Sequence, residues 1–340
     1  MLVFLPFGER PSQTPNRKDG LKRSANILNM GVLVRILRNL LAGIGLIFTA
    51  VSDTLAAQDL EPRAYSASPV GTSFVGIAFG RSSGDIAFDP TLPITNAKAT
   101  LYSPALGLGH TFGLFGRQSL LTVVLPYAWG NASGDVGNQQ QSVRRSGMAD
   151  VKTRFSINLW GNPAMTASEF AKRTHRTLIV GTSLTMASPS GQYDNTKLIN
   201  IGTNRWSFKP EIGVSYPVKK VDLDLYAGAW FFTKNKSFYV GHSHRSQEPL
   251  TALQAHVSYT VRRGLWLAFD STWYGGGASI VDGGSPSGRQ GNTRLGGTVS
   301  LPLVKGQSLK VSFSSGVSGN IGSKFNTIAG GWQYVWFDRP

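Results

Sequence analysis

The sequence predicts an all-β chain folded as a transmembrane antiparallel up-and-down β-barrel of about twelve strands, preceded by a cleaved signal peptide. Three observations predict it. Apolar and polar residues alternate with period two through most of the chain, the connections between the alternating runs are short and long in turn, and no run of 18 apolar residues follows residue 57. The last observation leaves no helical span. Composition agrees: Gly accounts for 40 of 340 residues, well above the usual share, and only 15% of residues are charged. Helix formers are scarce, which excludes a helical bundle. With Cys 0, a disulfide scaffold, a Cys-based zinc site and thiol catalysis are excluded too.

The N-terminus carries an address. Residues 1–29 lack periodicity and read as a non-native extension upstream of a true start at Met30. From there Arg35 and Arg38 precede an apolar stretch between Leu40 and Val51, and small residues follow around Ala56 and Ala57. That order is a secretory signal with its cleavage site, so residues 30–57 are expected to be removed. The apolar stretch, about 12 residues, is too short for a permanent helical anchor. The barrel is then residues 58–340. Removing 1–57 takes away seven basic and three acidic residues, which lowers the formal charge from +16 to +12.

Strands are expected at about 72–83, 98–112, 118–130, 147–160, 176–188, 204–216, 221–233, 250–262, 264–275, 292–302, 307–317 and 326–337. Within 221–233, Val221, Leu223, Leu225, Ala227, Ala229 and Phe231 alternate with Asp222, Asp224, Tyr226 and Gly228, one apolar and one polar face. Leu253, Ala255, Val257, Tyr259 and Val261 oppose Gln254, His256, Ser258 and Thr260 in the same way. Most of these runs reach the length of about 9 to 11 residues that a tilted membrane strand needs, against about 5 or 6 in soluble sandwiches.

Short connections fall at 113–117, 217–220, 262–264 and 303–306, and long, polar, Gly-rich ones at 84–97, 131–146, 189–203, 234–249 and 276–291. Tight turns on the periplasmic side and larger loops outside are the pattern of an outer-membrane barrel, and an even strand count brings both termini to one side. The inner connection 161–175 is longer and contains MTASEFAKR, a short helix with Ser168 near its start. Aromatic residues cluster at strand ends, as interfacial girdles require: Tyr127 and Trp129, Trp160, Trp206 and Phe208, Phe231 and Phe232, Trp273 and Tyr274. The last strand is aromatic and alternating. Phe337 stands in place of a terminal aromatic, an expected signal for barrel-assembly machinery, with Asp338, Arg339 and Pro340 beyond it.

Ten ionisable residues lie on the face opposite the apolar set: Lys152, Arg154, Lys209, Glu211, Asp222, Asp224, His256, Asp270, Arg294 and Lys310. A Lys or Arg on lipid near the midplane costs roughly 2 to 4 kcal/mol, so these residues are expected to line the lumen. Both signs occur, which suits either a water-filled interior or one closed by its own ion pairs. Outer loops carry Arg144, Arg145, Lys234, Lys236 and Arg245, placed to meet phosphorylated headgroups of lipid and lipopolysaccharide. The positive charge is dispersed and forms no stripe, which argues against nucleic acid.

The runs LEPRAYSASPVGTSFVGIAFGRSSGDIAFDPTLPI, VVLPYAWGNASG, SGQYDNTKLINIGTNRWSFKPEIGVSYP and RRGLWLAFDSTWYGGG resemble the outer-membrane transporter family associated with the meta-pathway of phenol degradation. The similarity continues through SSGVSGN and WQYVW. The resemblance implies a barrel in the outer membrane of a Gram-negative bacterium and uptake of small hydrophobic or aromatic solutes; it brings no catalytic residues. The expected function is therefore passive channel transport, with a non-transporting, structural or adhesive barrel of plugged lumen as the alternative. Gln192, Tyr193, Asn200, Asn204, Arg205, Trp206 and Lys209 fall in the resembling block at a loop-to-strand junction on the outer rim, where a ligand-contacting or loop-locking role is expected. No cofactor is expected. His242 and His244 lack an acidic or Cys companion for a metal, and His256, near Ser258, lacks a nucleophile-elbow pattern, so neither a metal site nor an enzyme is expected.

Overall fold

The computed structural model describes residues 60–85, 94–136, 139–197, 199–240, 244–304, 306–318 and 325–338; the expected extension at 1–29 and signal peptide at 30–57 lie outside the described residues. The strands are β1 (Thr72–Asp85), β2 (Ile94–Leu114), β3 (Arg117–Val136), β4 (Gln139–Met148), β5 (Lys152–Trp160), β6 (Ile179–Ala187), β7 (Ser207–Val218), β8 (Val221–Phe232), β9 (Arg245–Gln247), β10 (Leu250–Arg262), β11 (Leu265–Gly276), β12 (Ser279–Val281), β13 (Gln290–Pro302), β14 (Gln307–Ser318) and β15 (Phe325–Phe337), with helix α1 (Ala167–Lys172) between β5 and β6.

All strands except β9 and β12 form one antiparallel sheet, ordered β2-β1-β15-β14-β13-β11-β10-β8-β7-β6-β5-β3-β4, and the pairing of β2 with β3 closes it. Both β4 and β5 pair with β3, at 127–136 and 119–124 respectively. They are two lengths of one wall strand, so the barrel has twelve walls. The expected single run 147–160 is broken at 149–151 because Asp150 leaves the ladder: its carboxylate accepts from Gly191 N (2.9 Å) and Thr203 N (3.0 Å) in the facing loop.

One end carries the tight turns at 115–116, 219–220, 263–264 and 303–306. Left-handed φ values at Phe115 and Gly116 allow the two-residue reversal between β2 and β3. Thr72 pairs with Phe337, which brings the start of β1 and the end of β15 to this same, periplasmic end. The other end differs from the sequence expectation. Residues 131–146, expected as a loop, are mostly hairpin: β3 runs on to Val136 and pairs with β4 up to Val136↔Gln139. Neither face of this stretch is apolar, since outside the bilayer a ladder forms without one, and so period-two reading misses it. The loops at 234–249 and 276–291 likewise hold β9 and β12, which pair with each other.

Along β10 the side chains of Leu253, Val257 and Tyr259 face outward while Ala252, Gln254, His256 and Ser258 are buried. The same phase holds on β7 and β8, and the outward set is the lipid-facing band. Aromatic girdles bound it. Phe79, Tyr102, Trp129 and Tyr127 form a contacting cluster at the outer level, and outward-facing Trp160, Tyr216, Tyr259, Tyr334 and Trp336 mark the periplasmic level. Two residues expected in a girdle are not there. Tyr274 is buried and Phe232 packs on the inner cluster, because neighbours on a strand face opposite sides and only Trp273 and Phe231 point outward.

Helix α1 begins at Ala167, with Ser168 near its start as expected, and is capped by Thr166. Thr166 Oγ1 accepts from Glu169 N (3.3 Å) and Glu169 Oε2 accepts from Thr166 N (2.8 Å), a capping box.

Ile212, outward and midway along β7, tests the lipid-facing assignment. Ile212→Arg is expected to lower barrel stability in vesicles by about 2 to 4 kcal/mol in urea titration.

Candidate functional site

The interior is built from strand residues and from a segment that precedes them. Residues 60–71, between the expected cleavage site and β1, enter the barrel from the periplasmic end and do not pair as a strand. Leu60, Glu61, Arg63, Ala64, Tyr65 and Ser68 are all buried. Near the mouth the segment is tied by Val70 N to Met165 O (2.8 Å) and Gly71 N to Thr111 O (2.8 Å). Ser68 N donates to Gln118 Oε1 (2.7 Å) at the same level, and deeper in Ala64 N donates to Tyr226 Oη (3.0 Å).

Arg63 is its main electrostatic anchor. Nη2 lies 2.8 Å from Asp222 Oδ2, and the backbone N donates to Asp224 Oδ2 (3.1 Å). Nε and Nη2 donate to Ser258 Oγ and Thr260 Oγ1, each at 2.7 Å, and the guanidinium sits 4.7 Å over the Trp266 ring. Asp222 also accepts from Arg176 of the inner connection. Two carboxylates two residues apart on one buried face would be untenable alone, and this arginine from outside the wall compensates them.

Tyr65 reaches the second group. Its hydroxyl donates to Glu211 Oε1 (3.0 Å) and bonds Ser183 Oγ (3.0 Å). Its ring lies against Gly181 and Gly213, where an added Cβ would come within 2.2 Å of it, so both positions need glycine. Glu211 also meets Lys209 Nζ (3.1 Å), Arg154 Nη2 (3.6 Å) and Gln254 Nε2 (3.3 Å). Arg154 stacks 5.1 Å from the Tyr65 ring centre and lies 3.8 Å from Glu61.

The remaining predicted residues form smaller sets. His256 Nδ1 and Asp270 Oδ1 are 2.8 Å apart, and Thr298 Oγ1 donates to Asp270 Oδ2 (2.8 Å). Arg294 donates to Ser314 Oγ (2.7 Å) and lies 4.0 Å over Phe325. Lys310 is buried on β14, and Lys152 is half-buried near the outer end of β5. The structure thus joins Arg154, Lys209 and Glu211 in one network and Asp222 and Asp224 in another, with His256, itself held by Asp270, directly across the ladder from Asp224. Sequence reasoning missed Glu61, Arg63 and Tyr65. The available signal was the Asp222/Asp224 pair, which finds no Arg or Lys across the ladder: Pro217 and Ser258 face Asp222, and Ser215 and His256 face Asp224.

At the outer mouth, Trp230, Leu250, Ala252 and Tyr274 form a buried apolar cluster joined by Phe232. Arg205 lies 4.3 Å over Phe232 and Lys209 lies 5.6 Å from the Trp230 ring centre. The rim junction holds loops together. Gln192 N donates to Met148 O (2.8 Å), and Tyr193 Oη donates to Phe238 O and accepts from Asn235 Nδ2 (2.9 Å). Asn204 Nδ2 donates to Asn235 Oδ1 (3.0 Å), and Arg205 donates to Gln247 Oε1. Asn200 Nδ2 closes its own loop on Asp194 O (3.0 Å), whereas Trp206 is turned outward.

A closed antiparallel wall with an apolar outer band, aromatic girdles and a polar interior defines an outer-membrane β-barrel of a Gram-negative bacterium. Residues 83–336 match the family model described as "Putative MetA-pathway of phenol degradation", and the chain belongs to that family. Its fold is similar to the COG4313 outer membrane channel from Pseudomonas putida F1, with a TM-score of 0.65 and 20% identity over 82% of this chain and 100% of that one. The β domain of the Bordetella autotransporter BrkA aligns with a TM-score of 0.47 and 14% identity, over 78% of this chain and 100% of that one. A Pseudomonas aeruginosa FadL homologue aligns at 0.40 and 9%, over 86% and 97%. No curated protein matches the chain.

Removing the Arg63 side chain leaves the buried Asp222 carboxylate with Arg176 alone and Asp224 with a backbone donor, a loss of up to about 3 to 5 kcal/mol that release of the segment into water escapes. In Arg63→Met, hydrogen exchange at the Ala64 and Val70 amides is expected to accelerate roughly a hundredfold or more while strand amides keep their protection. Unchanged protection at both would show that Arg63 is not the anchor.

Proposed function

We propose that the barrel is a passive outer-membrane channel for small hydrophobic or aromatic solutes. The observation that carries this reading is the apolar cluster of Trp230, Phe232, Leu250 and Tyr274 at the outer mouth of an interior that is otherwise polar. Aromatic faces next to Arg205 and Lys209 suit an aromatic solute, which stacks on the rings and accepts from the cations. The family's description, with its link to phenol degradation, and the channel named among the similar structures support the same reading. Below the cluster, the segment 60–71 narrows the path, so passage favours small solutes over large ones.

Of the ten interior ionisable residues, Arg154, Glu211, Asp222 and Asp224 bind the segment in this reading and the others line the remaining path. Gln192, Tyr193, Asn204 and Arg205 hold the rim in shape around the apolar cluster, and Trp206 anchors it in the outer leaflet. The chemistry is binding and passage, not catalysis: His256 is held by Asp270, and Ser258 Oγ accepts from Arg63. Lipid and lipopolysaccharide surround the wall, and the β15 end at Phe337 serves as the signal to the barrel-assembly machinery.

A second reading, a structural or adhesive barrel that transports nothing, is favoured by one specific observation, the buried segment inside the lumen. Entry of N-phenylnaphthylamine into vesicles bearing lipopolysaccharide in the outer leaflet separates the two. The channel reading expects faster entry than in protein-free vesicles and severalfold slower entry with Trp230→Ser. Entry no faster than in protein-free vesicles would leave the structural reading.

A further inference from the structure

At the opposite, periplasmic mouth lies a cavity of about 200 Å³ that the transport reading does not use. It is enclosed by α1 and the connection after it, by Ser66 and Ala67 of the inserted segment, and by the ends of β6, β7 and β8. Its walls are of two kinds. Phe170, Ile179 and Pro217 give it apolar sides, and Arg173, Arg176 and Arg263 supply three guanidinium groups. Asp222 is the lone carboxylate among its lining residues, and it is already shared between Arg176 and Arg63.

The hydrogen-bond partners of Arg173 are all neutral. It donates to His175 O (2.9 Å), Asn162 Oδ1 (2.9 Å), Gly161 O (3.2 Å) and Thr177 Oγ1 (2.8 Å). These bonds fix the guanidinium without neutralising it. Partial burial pushes its pKa below the ordinary arginine value, and the nearby positive charge of Arg176 pushes it the same way. A fixed, uncompensated positive group beside apolar walls favours an anion that carries an apolar body. The volume suits one substituted ring, since a cavity of about 150 Å³ accommodates benzene.

We infer that this cavity is a binding site for an aromatic monocarboxylate at the periplasmic mouth, its ring against Phe170, Ile179 and Pro217 and its carboxylate toward Arg173, Arg176 and Arg263. As a role, a site where such a solute pauses on leaving the barrel, the inference rests on the transport reading; as a binding site it does not.

Binding of benzoate to the full mature barrel in detergent at neutral pH, followed by isothermal titration, tests it. Benzoate is expected to bind at least about tenfold tighter than benzyl alcohol, which lacks the charge, and than acetate or inorganic phosphate, which lack the ring. Arg263→Gln and Arg176→Gln are each expected to weaken benzoate about tenfold, and Lys220→Gln, on the same rim but outside the cavity, to leave it unchanged. Equal binding of benzyl alcohol, acetate or phosphate would overturn the inference. So would an undiminished affinity in both arginine variants, or an equal loss in Lys220→Gln. The neutral naphthylamine entry assay runs in parallel on the wild-type barrel. Failed entry with benzoate binding intact contradicts the transport reading alone, and failed benzoate binding with entry intact contradicts this inference alone.

Discussion

Backbone N–H and C=O groups have no water partner in hydrocarbon, and an open strand edge there costs several kcal/mol for each group left bare. The pairing of β2 with β3 and of β1 with β15 removes every such edge from the twelve walls. Closure then dictates the rest. Once the ladder is a ring, each strand has one face on lipid and one face inward, and an outward Leu225 or Val257 requires an inward Asp224 or His256 beside it.

A polar interior in a ring of this size creates its own difficulty, because the inward charges lie in a confined, poorly hydrated space. The barrel meets it with two centres. Glu211 gathers Lys209, Arg154 and the hydroxyl of Tyr65, and Asp222 with Asp224 gathers Arg63. Both centres use a side chain from residues 60–71, so the wall's charges are balanced only with that segment in place. The geometry of Gly181 and Gly213 belongs to the same arrangement, since their missing side chains make the seat for the Tyr65 ring. Segment and wall are therefore one structure electrostatically, although the segment contributes no strand to the ladder.

The parts legible in the sequence are those that alternation controls. All twelve wall strands were expected within a few residues of where they lie, because hydrocarbon on one side and polar groups on the other impose period two on every one of them. Where that contrast vanishes, so does the signal: the hairpin formed by β3 beyond Gly130 and by β4 is wet on both faces, and β9 and β12 are three residues each. The break at Asp150 was hidden because its cause is a loop 41 residues away in the chain. The interior network was half legible. The strand charges declare themselves by their phase, whereas Glu61, Arg63 and Tyr65 sit in a stretch with no period at all and are identified only by the partners that need them.

The absence of cysteine in the chain allows the central claim, strict inward and outward alternation around a closed wall, to be measured directly. Single cysteines placed at successive positions from Thr251 to Tyr259 of β10, each carrying a fluorophore in vesicles that contain brominated lipid, report which side chains touch hydrocarbon. The account predicts strong quenching at Thr251, Leu253, Ala255, Val257 and Tyr259 and little at Ala252, Gln254, His256 and Ser258. Quenching without a period of two, or with the phase reversed so that His256 is the lipid-exposed position, would contradict it.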